Sequence, residues 1–400
     1  MSVLRPAATA LASFFTMGVF WGAWAALVPE IQLRTAATPP ELGAALLWAG
    51  AAALPAMFVT GRLWTRFGQS LVPATLALFG LVAIGPAIAP GVPALAVGLA
   101  LVGAASGALD VAMNAQVSQI EATTARRLMF LAHALFSLGV LLTSVAVGVL
   151  RTFAVEPLSI LAVVAVTFLV LAAVAVFTYG RARDSKVDVP ASAVAVTATN
   201  RVGREMLVLL GLLCAAAFLI EDAMVSWSAL HLERTLDAEP AIGSAGPGLF
   251  AGAMFVGRAM GQAIGRRFSD RDILVGAGLI GAAGLSIVAV APTSVIALGG
   301  LVVAGVGVSV VGPALFSRAG RLAGERGRGA AIASLTVFGY TGFIVGPPVV
   351  GLIAGATELR VSFATLAGLA LATAVVSWLT VREAAPAHAT ADELPPVARA

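Results

Sequence analysis

Residues 109–121 read LDVAMNAQVSQIE, and they place two acids and three amides inside an apolar run long enough to cross a membrane. Polar groups are scarce in such runs. At helical spacing Asp110, Asn114, Ser118 and Glu121 stand three or four residues apart, so one side of the helix is polar while the other can meet lipid. A charged acid near the middle of a spanning helix costs roughly 2.5 to 3.5 kcal/mol on insertion scales, so it is expected to face a cavity or a partner. That makes Asp110 a candidate working group. The competing reading is a buried carboxylate that only caps or braces a neighbouring helix.

Composition extends this to the whole chain. With 400 residues, 60% hydrophobic and 11% charged, there is too little polar surface to enclose a soluble globule. The sequence is that of a polytopic membrane protein. A formal charge of +4 could suggest nucleic acid, but arginine supplies almost all of the basic residues and they cluster between apolar runs, where they act as topology signals. Cys214, the single cysteine, excludes an intramolecular disulfide and a cysteine metal cluster. His133, His231 and His388 are far apart and lack metal-ligand spacing. No cofactor and no metal is expected.

The apolar runs count to twelve, at about 7–29, 42–61, 71–89, 94–116, 128–150, 158–179, 206–232, 243–265, 273–291, 294–316, 330–355 and 361–381. The first is too long for the core of a cleavable signal, so it is kept as a span. Residues 181–205 form the longest polar segment inside the chain and read as a linker. The expected organisation is therefore an all-α protein with a six-helix bundle over 1–180, a cytoplasmic linker over 181–205, a second six-helix bundle over 206–381, and a disordered cytoplasmic tail over 382–400.

Arginine placement gives the orientation. With the amino terminus inside, Arg62, Arg66, Arg126, Arg127, Arg181, Arg183, Lys186, Arg201, Arg204, Arg266, Arg267, Arg271, Arg318, Arg321, Arg326 and Arg328 lie on the cytoplasmic side. The opposite loops hold only Arg34, Arg151, Arg234 and Arg360. Such a bias puts both termini in the cytoplasm, and for a bacterial-type chain the membrane is the inner one.

The halves also look like copies. Leu33, Arg34, Thr35 recur as Glu233, Arg234, Thr235; Arg66, Phe67 as Arg267, Phe268; Leu101, Val102 and Gly107 as Leu301, Val302 and Gly307. A parallel repeat of six spans puts a pseudo-twofold axis along the membrane normal, with a site between the halves.

The segment GRLWTRFGQS, 61–70, carries a family resemblance. Gly61, Leu63, Arg66 and Gly68 match the loop signature Gly-x-Leu-x-Asp-Arg-x-Gly-Arg-Arg of the major facilitator superfamily, which the chain resembles along nearly its whole length. Thr65 stands in place of the family's Asp, and Gln69 and Ser70 in place of its basic residues. The stretches SWSALHL from Ser226, HALFSLG from His133 and GYTGFIVGPPVVG from Gly339 are similar to the sugar-porter-related branch that includes fucose-permease-like and uncharacterised inner-membrane carriers. The resemblance implies a carrier with Gly61, Arg66 and Gly68 in a gate loop. In that fold spans five and eight meet between the halves, which would let Arg258 pair with Asp110 when the cytoplasmic side is closed.

Helix rise sets the depths of the candidate groups. Asp110, His133 and Arg258 each fall roughly 8 to 12 Å inside the cytoplasmic helix ends, and with Glu121 they are candidates for proton coupling or gating. Glu221 and Asp222 fall about 24 Å from the cytoplasmic end of span seven, in what reads as a separate layer, with Glu221 favoured to face the cavity. Asn114, Gln116, Ser226, Trp227, Trp24 and Tyr340 complete the candidate solute-binding set, the tryptophans having interfacial anchoring as their alternative.

The expected function is secondary active transport of a small solute by alternating access, coupled to protons, by a monomer in the lipid bilayer that binds no nucleic acid. An acid that alternately meets an arginine and water changes its proton affinity with conformation. An enzyme is not expected, since no nucleophile and base constellation is present. Amides and hydroxyls at Asn114, Gln116, Ser226 and Tyr340 favour a neutral polar or sugar-like solute. Efflux of cationic compounds held by Glu221 and Asp222 is the alternative, and a non-transporting sensor with a carrier fold is the alternative of another class.

Overall fold

The computed structural model describes residues 4–124, 128–179, 203–264 and 267–381. Most of the linker expected at 181–205 and all of the tail expected at 382–400 lie outside the described residues. Among the described residues there are twelve α-helices and no strand: α1 Leu4–Thr35, α2 Pro39–Phe67, α3 Leu71–Val82, α4 Val92–Thr124, α5 Met129–Thr152, α6 Pro157–Tyr179, α7 Arg204–Thr235, α8 Pro240–Ile264, α9 Asp270–Val290, α10 Ser294–Val308, α11 Val311–Ala356 and α12 Leu359–Thr380. By length and hydropathy alone, ten segments of the described residues can cross a membrane. The expected twelve is not reached on that measure for two reasons. Helical structure runs through Pro39–Ile88 with little interruption and counts once, and α8 is diluted by glycine, proline and Arg258.

Helix ends follow local chemistry. At the start of α2 the Thr38 backbone N–H donates to Glu41 Oε2 at 2.9 Å and the Thr38 hydroxyl donates to the same oxygen at 2.7 Å, with Pro39 opening the helix. Ser269 and Asp272 form the same reciprocal cap on α9. Span three ends earlier than expected, at Val82, and Pro86 sits in a short 3-10 turn over Gly85–Ile88. The largest departure is between spans ten and eleven. The basic segment expected as a loop is helical through most of its length, and the chain turns at Gly324, whose φ of 66° and ψ of −178° only glycine adopts readily.

The internal repeat is visible in the packing. In the first half α1 packs on α5 and α2 on α4; in the second α7 packs on α11 and α8 on α10. Gly22 lies against the Val140 backbone, and Gly342, in the corresponding pair, against the Ala215 backbone, so a β-carbon at either would collide with the neighbouring main chain. Two turns repeat as well. Ala36 after α1 and Asp237 after α7 both take positive φ, 52° and 49°, about two hundred positions apart. This is a pair of six-helix bundles related by a pseudo-twofold axis, the architecture expected.

The bundles meet through α2 on α11 and α5 on α8. Gly43 lies on Pro347 and Pro348, Gly351 on Pro39, Gly148 on Ala241 and Ser244, and Gly248 on Leu141 and Ser144. All of these close approaches lie in the half of the molecule nearest the α1–α2, α5–α6 and α7–α8 turns. That end is the sealed face. The opposite end holds the last turn of α6 and the first of α7, and there α2 leaves Phe58, Val59 and Phe67 about half exposed.

Candidate functional site

At the sealed face one guanidinium holds both bundles. Arg151, near the end of α5, donates from Nη1 to Glu233 Oε1 at 2.6 Å and from Nη2 to Glu233 Oε2 at 2.9 Å, a two-pronged pair to the end of α7. The same Nη1 donates to Ser244 Oγ on α8 and the Ala26 carbonyl on α1, each at 2.9 Å, and Nε donates to Glu30 Oε2 at 3.4 Å. The Ser144 hydroxyl also donates to the Ser244 carbonyl, across the same seam. Only 6% of either the Arg151 or the Glu233 side chain is exposed. A pair so dry repays its desolvation only through geometry and extra hydrogen bonds, and both are present.

Midway along the helices is a second polar cluster, and it is wetter. Arg258 Nη2 on α8 donates to Glu221 Oε1 and Oε2 on α7 at 3.0 and 3.1 Å, with 37% and 20% of the two side chains exposed. Beside Glu221, Asp222 has no hydrogen bond or ion pair among the described residues and is only partly buried. From α11 the Tyr340 hydroxyl donates to Asp110 Oδ2 on α4 at 3.3 Å, and Asn114 Nδ2 donates to Asp110 Oδ1 at 3.0 Å and to the Asp110 carbonyl at 2.8 Å. The tyrosine contact links the two bundles, whereas the Arg258 pair lies inside one of them.

Several sequence expectations require correction. Arg258 is bound to Glu221 here, and its expected pairing with Asp110 belongs to an arrangement closed at the other face. The separate layers expected for Arg258 and Glu221 are therefore one layer. The 32 residues of α7 extend about 48 Å, well beyond a hydrocarbon core of ~30 Å, so counting depth from its first residue overstated the depth of Glu221. Trp24 and Trp227, expected to line the cavity or anchor at an interface, are 1% and 0% exposed in the core. Gln116 and Ser226 are also buried, at 2% and 6%. Gln116, six residues beyond Asp110, points about 120° from it around the helix. Glu121 accepts the Met129 backbone N–H at 2.8 Å and the Leu128 N–H, so it fastens the beginning of α5 rather than sitting among the central polar groups. His133 is exposed and lies edge-on to Phe14 at 5.2 Å.

The gate loop lacks an ion pair. Gly68 ends α2 at φ 53° and its N–H donates to the Trp64 carbonyl, which explains the glycine. Thr65, in place of the family's acid, donates its hydroxyl to the Arg62 carbonyl on its own helix at 2.8 Å. Arg66 lies over Phe67 and makes no ion pair among the described residues; Gly61 faces open space. In the second half the corresponding turn is charged, with Asp270 accepting from Arg318 at 3.3 Å and from Arg321.

Sequence reasoning missed the Arg151 cluster, although the signal was present. Arg34, Arg151, Arg234 and Arg360 are the arginines on the arginine-poor side, and each is tied down. Arg34 pairs with Glu156 at 3.1 Å, Arg234 donates to the Pro29 carbonyl at 2.9 Å, and Arg360 donates to the Ala289 and Ala291 carbonyls at 3.0 and 2.9 Å.

Comparison with known proteins agrees with this architecture. The Major Facilitator Superfamily profile matches residues 9–340. An uncharacterised MFS-type transporter of Yersinia pestis is 31% identical over 363 residues, covering 90% of this chain and 92% of the relative. The membrane protein MosC of Rhizobium meliloti is 28% identical over 351 residues, covering 86% and 83%. Among solved structures, a mutant of the nucleoside transporter NupG superposes with TM-score 0.76 at 11% identity, over 94% of this chain and 99% of that one. The fucose:proton symporter FucP of E. coli gives 0.58 at 18% identity, over 95% and 99%. At these identities the solved structures speak for the fold alone.

Proposed function

Because the chain belongs to the Major Facilitator Superfamily, and is thus a multi-pass secondary transporter rather than an enzyme, we propose that it carries a small polar solute by alternating access coupled to proton movement, with Asp110 as the coupling group. One observation carries this reading: the Tyr340 hydroxyl on α11 donates to Asp110 on α4, so the acid shares a hydrogen bond with the opposite bundle at mid-depth. When the bundles rock apart on that side the bond breaks, and a carboxylate that exchanges a hydroxyl for water changes its proton affinity. The arginine bias supports both termini being cytoplasmic. In that orientation the sealed face is the outer one, and the Arg151–Glu233 pair is the closed outer gate.

A neutral polar solute would find the Asn114 amide, the Tyr340 hydroxyl and the Arg258–Glu221 pair as hydrogen-bonding partners. A second reading, a cationic solute, is favoured by Asp222, a carboxylate with no partner among the described residues next to a Glu221 already neutralised by Arg258. A thermal-shift panel of sugars, neutral amino acids and organic cations separates the two, since bound solute at a hundred times its Kd stabilises the folded state by about 2.7 kcal/mol. With a solute in hand, Asp110→Asn in proteoliposomes is expected to abolish accumulation driven by a proton gradient while counterflow exchange persists. Undiminished accumulation by the variant removes Asp110 from the coupling role.

A further inference from the structure

A cleft on the flank of the second bundle has no part in the transport path described above. Helices α8 and α9 both pack on α10 but scarcely touch each other, and the space between them is an apolar groove of about 260 Å³. Met260 on α8, Phe268 at the turn before α9, Ile273, Gly276 and Ile280 on α9, and Val310 at the floor line it. Met260, Phe268 and Ile280 are each roughly half exposed. Helix α9 packs on the second bundle alone, so the cleft opens sideways, toward lipid rather than toward the space between bundles. From Asp272 to Ile280 it extends about 12 Å along the helix, close to one leaflet's half of a ~30 Å hydrocarbon core.

The mouth of the groove is charged and the charge is lopsided. Asp270 is neutralised by Arg318 and Arg321, whereas Asp272, which lines the groove, accepts only from the neutral Ser269 hydroxyl at 2.8 Å and keeps its charge, so Arg267 and Arg271 outnumber one free carboxylate. Arg267 is exposed and makes no ion pair among the described residues. Arg271 lies over the ring of Trp378, 5.5 Å away, on the neighbouring end of α12, where an exposed tryptophan suits the headgroup level. We infer that this groove binds one anionic phospholipid, an acyl chain lying along Gly276 between α8 and α9 and the phosphate meeting Arg267 and Arg271.

Gly276 provides the test, because a β-carbon there would meet nothing within 4 Å. Gly276→Leu therefore fills the groove without disturbing a packed contact. Gly368 on α12 is equally open and lines no part of the groove, so Gly368→Leu is the matched control. Native mass spectrometry of the delipidated protein, titrated with phosphatidylglycerol or phosphatidylcholine of the same chains, reads occupancy. The expected result is a single high-occupancy phosphatidylglycerol adduct on the wild type and on Gly368→Leu, reduced at least fivefold by Gly276→Leu. Arg267→Gln with Arg271→Gln is expected to erase the preference for the anionic headgroup while leaving weak binding of both lipids. Equal adducts on all variants, equal losses in both leucine variants, or a Met260→Cys protein that cross-links to a second copy while retaining no lipid would each overturn the assignment.

Discussion

The two ion pairs that link transmembrane helices at the sealed face and at mid-depth differ in three ways at once. Arg151–Glu233 joins the bundles, is two-pronged and is 6% exposed on both sides; Arg258–Glu221 lies within one bundle, uses a single nitrogen and is 37% and 20% exposed. A dry, bidentate contact between bodies can hold one arrangement of those bodies and has to be broken outright to leave it. A wet contact inside one body loses little if its partner turns away, so Arg258 can change partners cheaply. Structure thus separates a latch from an exchangeable charge, although both consist of an arginine and a glutamate.

Removing the latch cation is the largest expected perturbation. Arg151→Ala leaves Glu30 and Glu233 facing each other without a cation, and breaking such a buried pair costs about 3–5 kcal/mol. That cost falls on the sealed arrangement alone, because separated bundles return the carboxylates to water. About 5.5 kcal/mol carries a two-state equilibrium from 1:99 to 99:1, so most of that range is covered. Ala241, which packs against Gly148 in the seam, supplies a reporter as Ala241→Cys in a Cys214→Ala background. Thiol labelling from the sealed side should rise more than tenfold with Arg151→Ala. Arg151→Lys, which keeps the charge but not the fork, should fall between. Labelling that does not respond to either would mean that packing of α2 on α11 and α5 on α8 seals the face unaided.

A double-mutant cycle sharpens the same contrast. Thermal unfolding of Arg258→Ala, Glu221→Gln and the combined variant should yield a coupling of about 1 kcal/mol or less, as expected for a contact open to solvent. The corresponding cycle on Arg151 and Glu233 should yield several times more. Arg258→Ala is nevertheless expected to impair transport, since it leaves Glu221 and Asp222 as adjacent uncompensated acids in the central layer. Equal coupling in the two cycles would erase the distinction between latch and exchangeable charge.

How much of this could be read from the chain depends on the range of the forces involved. Membrane insertion is decided by composition over about twenty residues, and strand-free architecture, the repeat and the separation of arginine-rich from arginine-poor ends were all legible for that reason. Asp110, Asn114 and Tyr340 were also legible, as polar groups in apolar runs, but their meeting was not, since Tyr340 and Asp110 are 230 residues apart. Trp24, Trp227 and Gln116 show the converse failure. Each has the right chemistry for a lining, yet which face of a helix meets the neighbour is set by packing, and packing put them inside. Gly324 was hidden for another reason: the arginines around it look like a loop, while locally they are good helix formers, and only the glycine's backbone angle marks the turn.

The smallest expected effect tests the contact that joins the bundles without charge on both sides. Tyr340→Phe removes the hydroxyl that donates to Asp110 and leaves the ring in place, 6.3 Å from that of Phe343. At 3.3 Å this is a long hydrogen bond, and one to an acid that Asn114 also serves, so the loss in stability should be about 1 kcal/mol. Its position makes the variant informative despite that. If the bond opposes opening between α4 and α11, the exchange rate in proteoliposomes should rise slightly while the accumulation ratio falls, because Asp110 would report less of the difference between the two arrangements. If both fall together, the hydroxyl instead contacts the solute. If neither moves, Asp110 senses the bundle motion through water alone, and the Arg151–Glu233 latch remains as an ion pair between the halves.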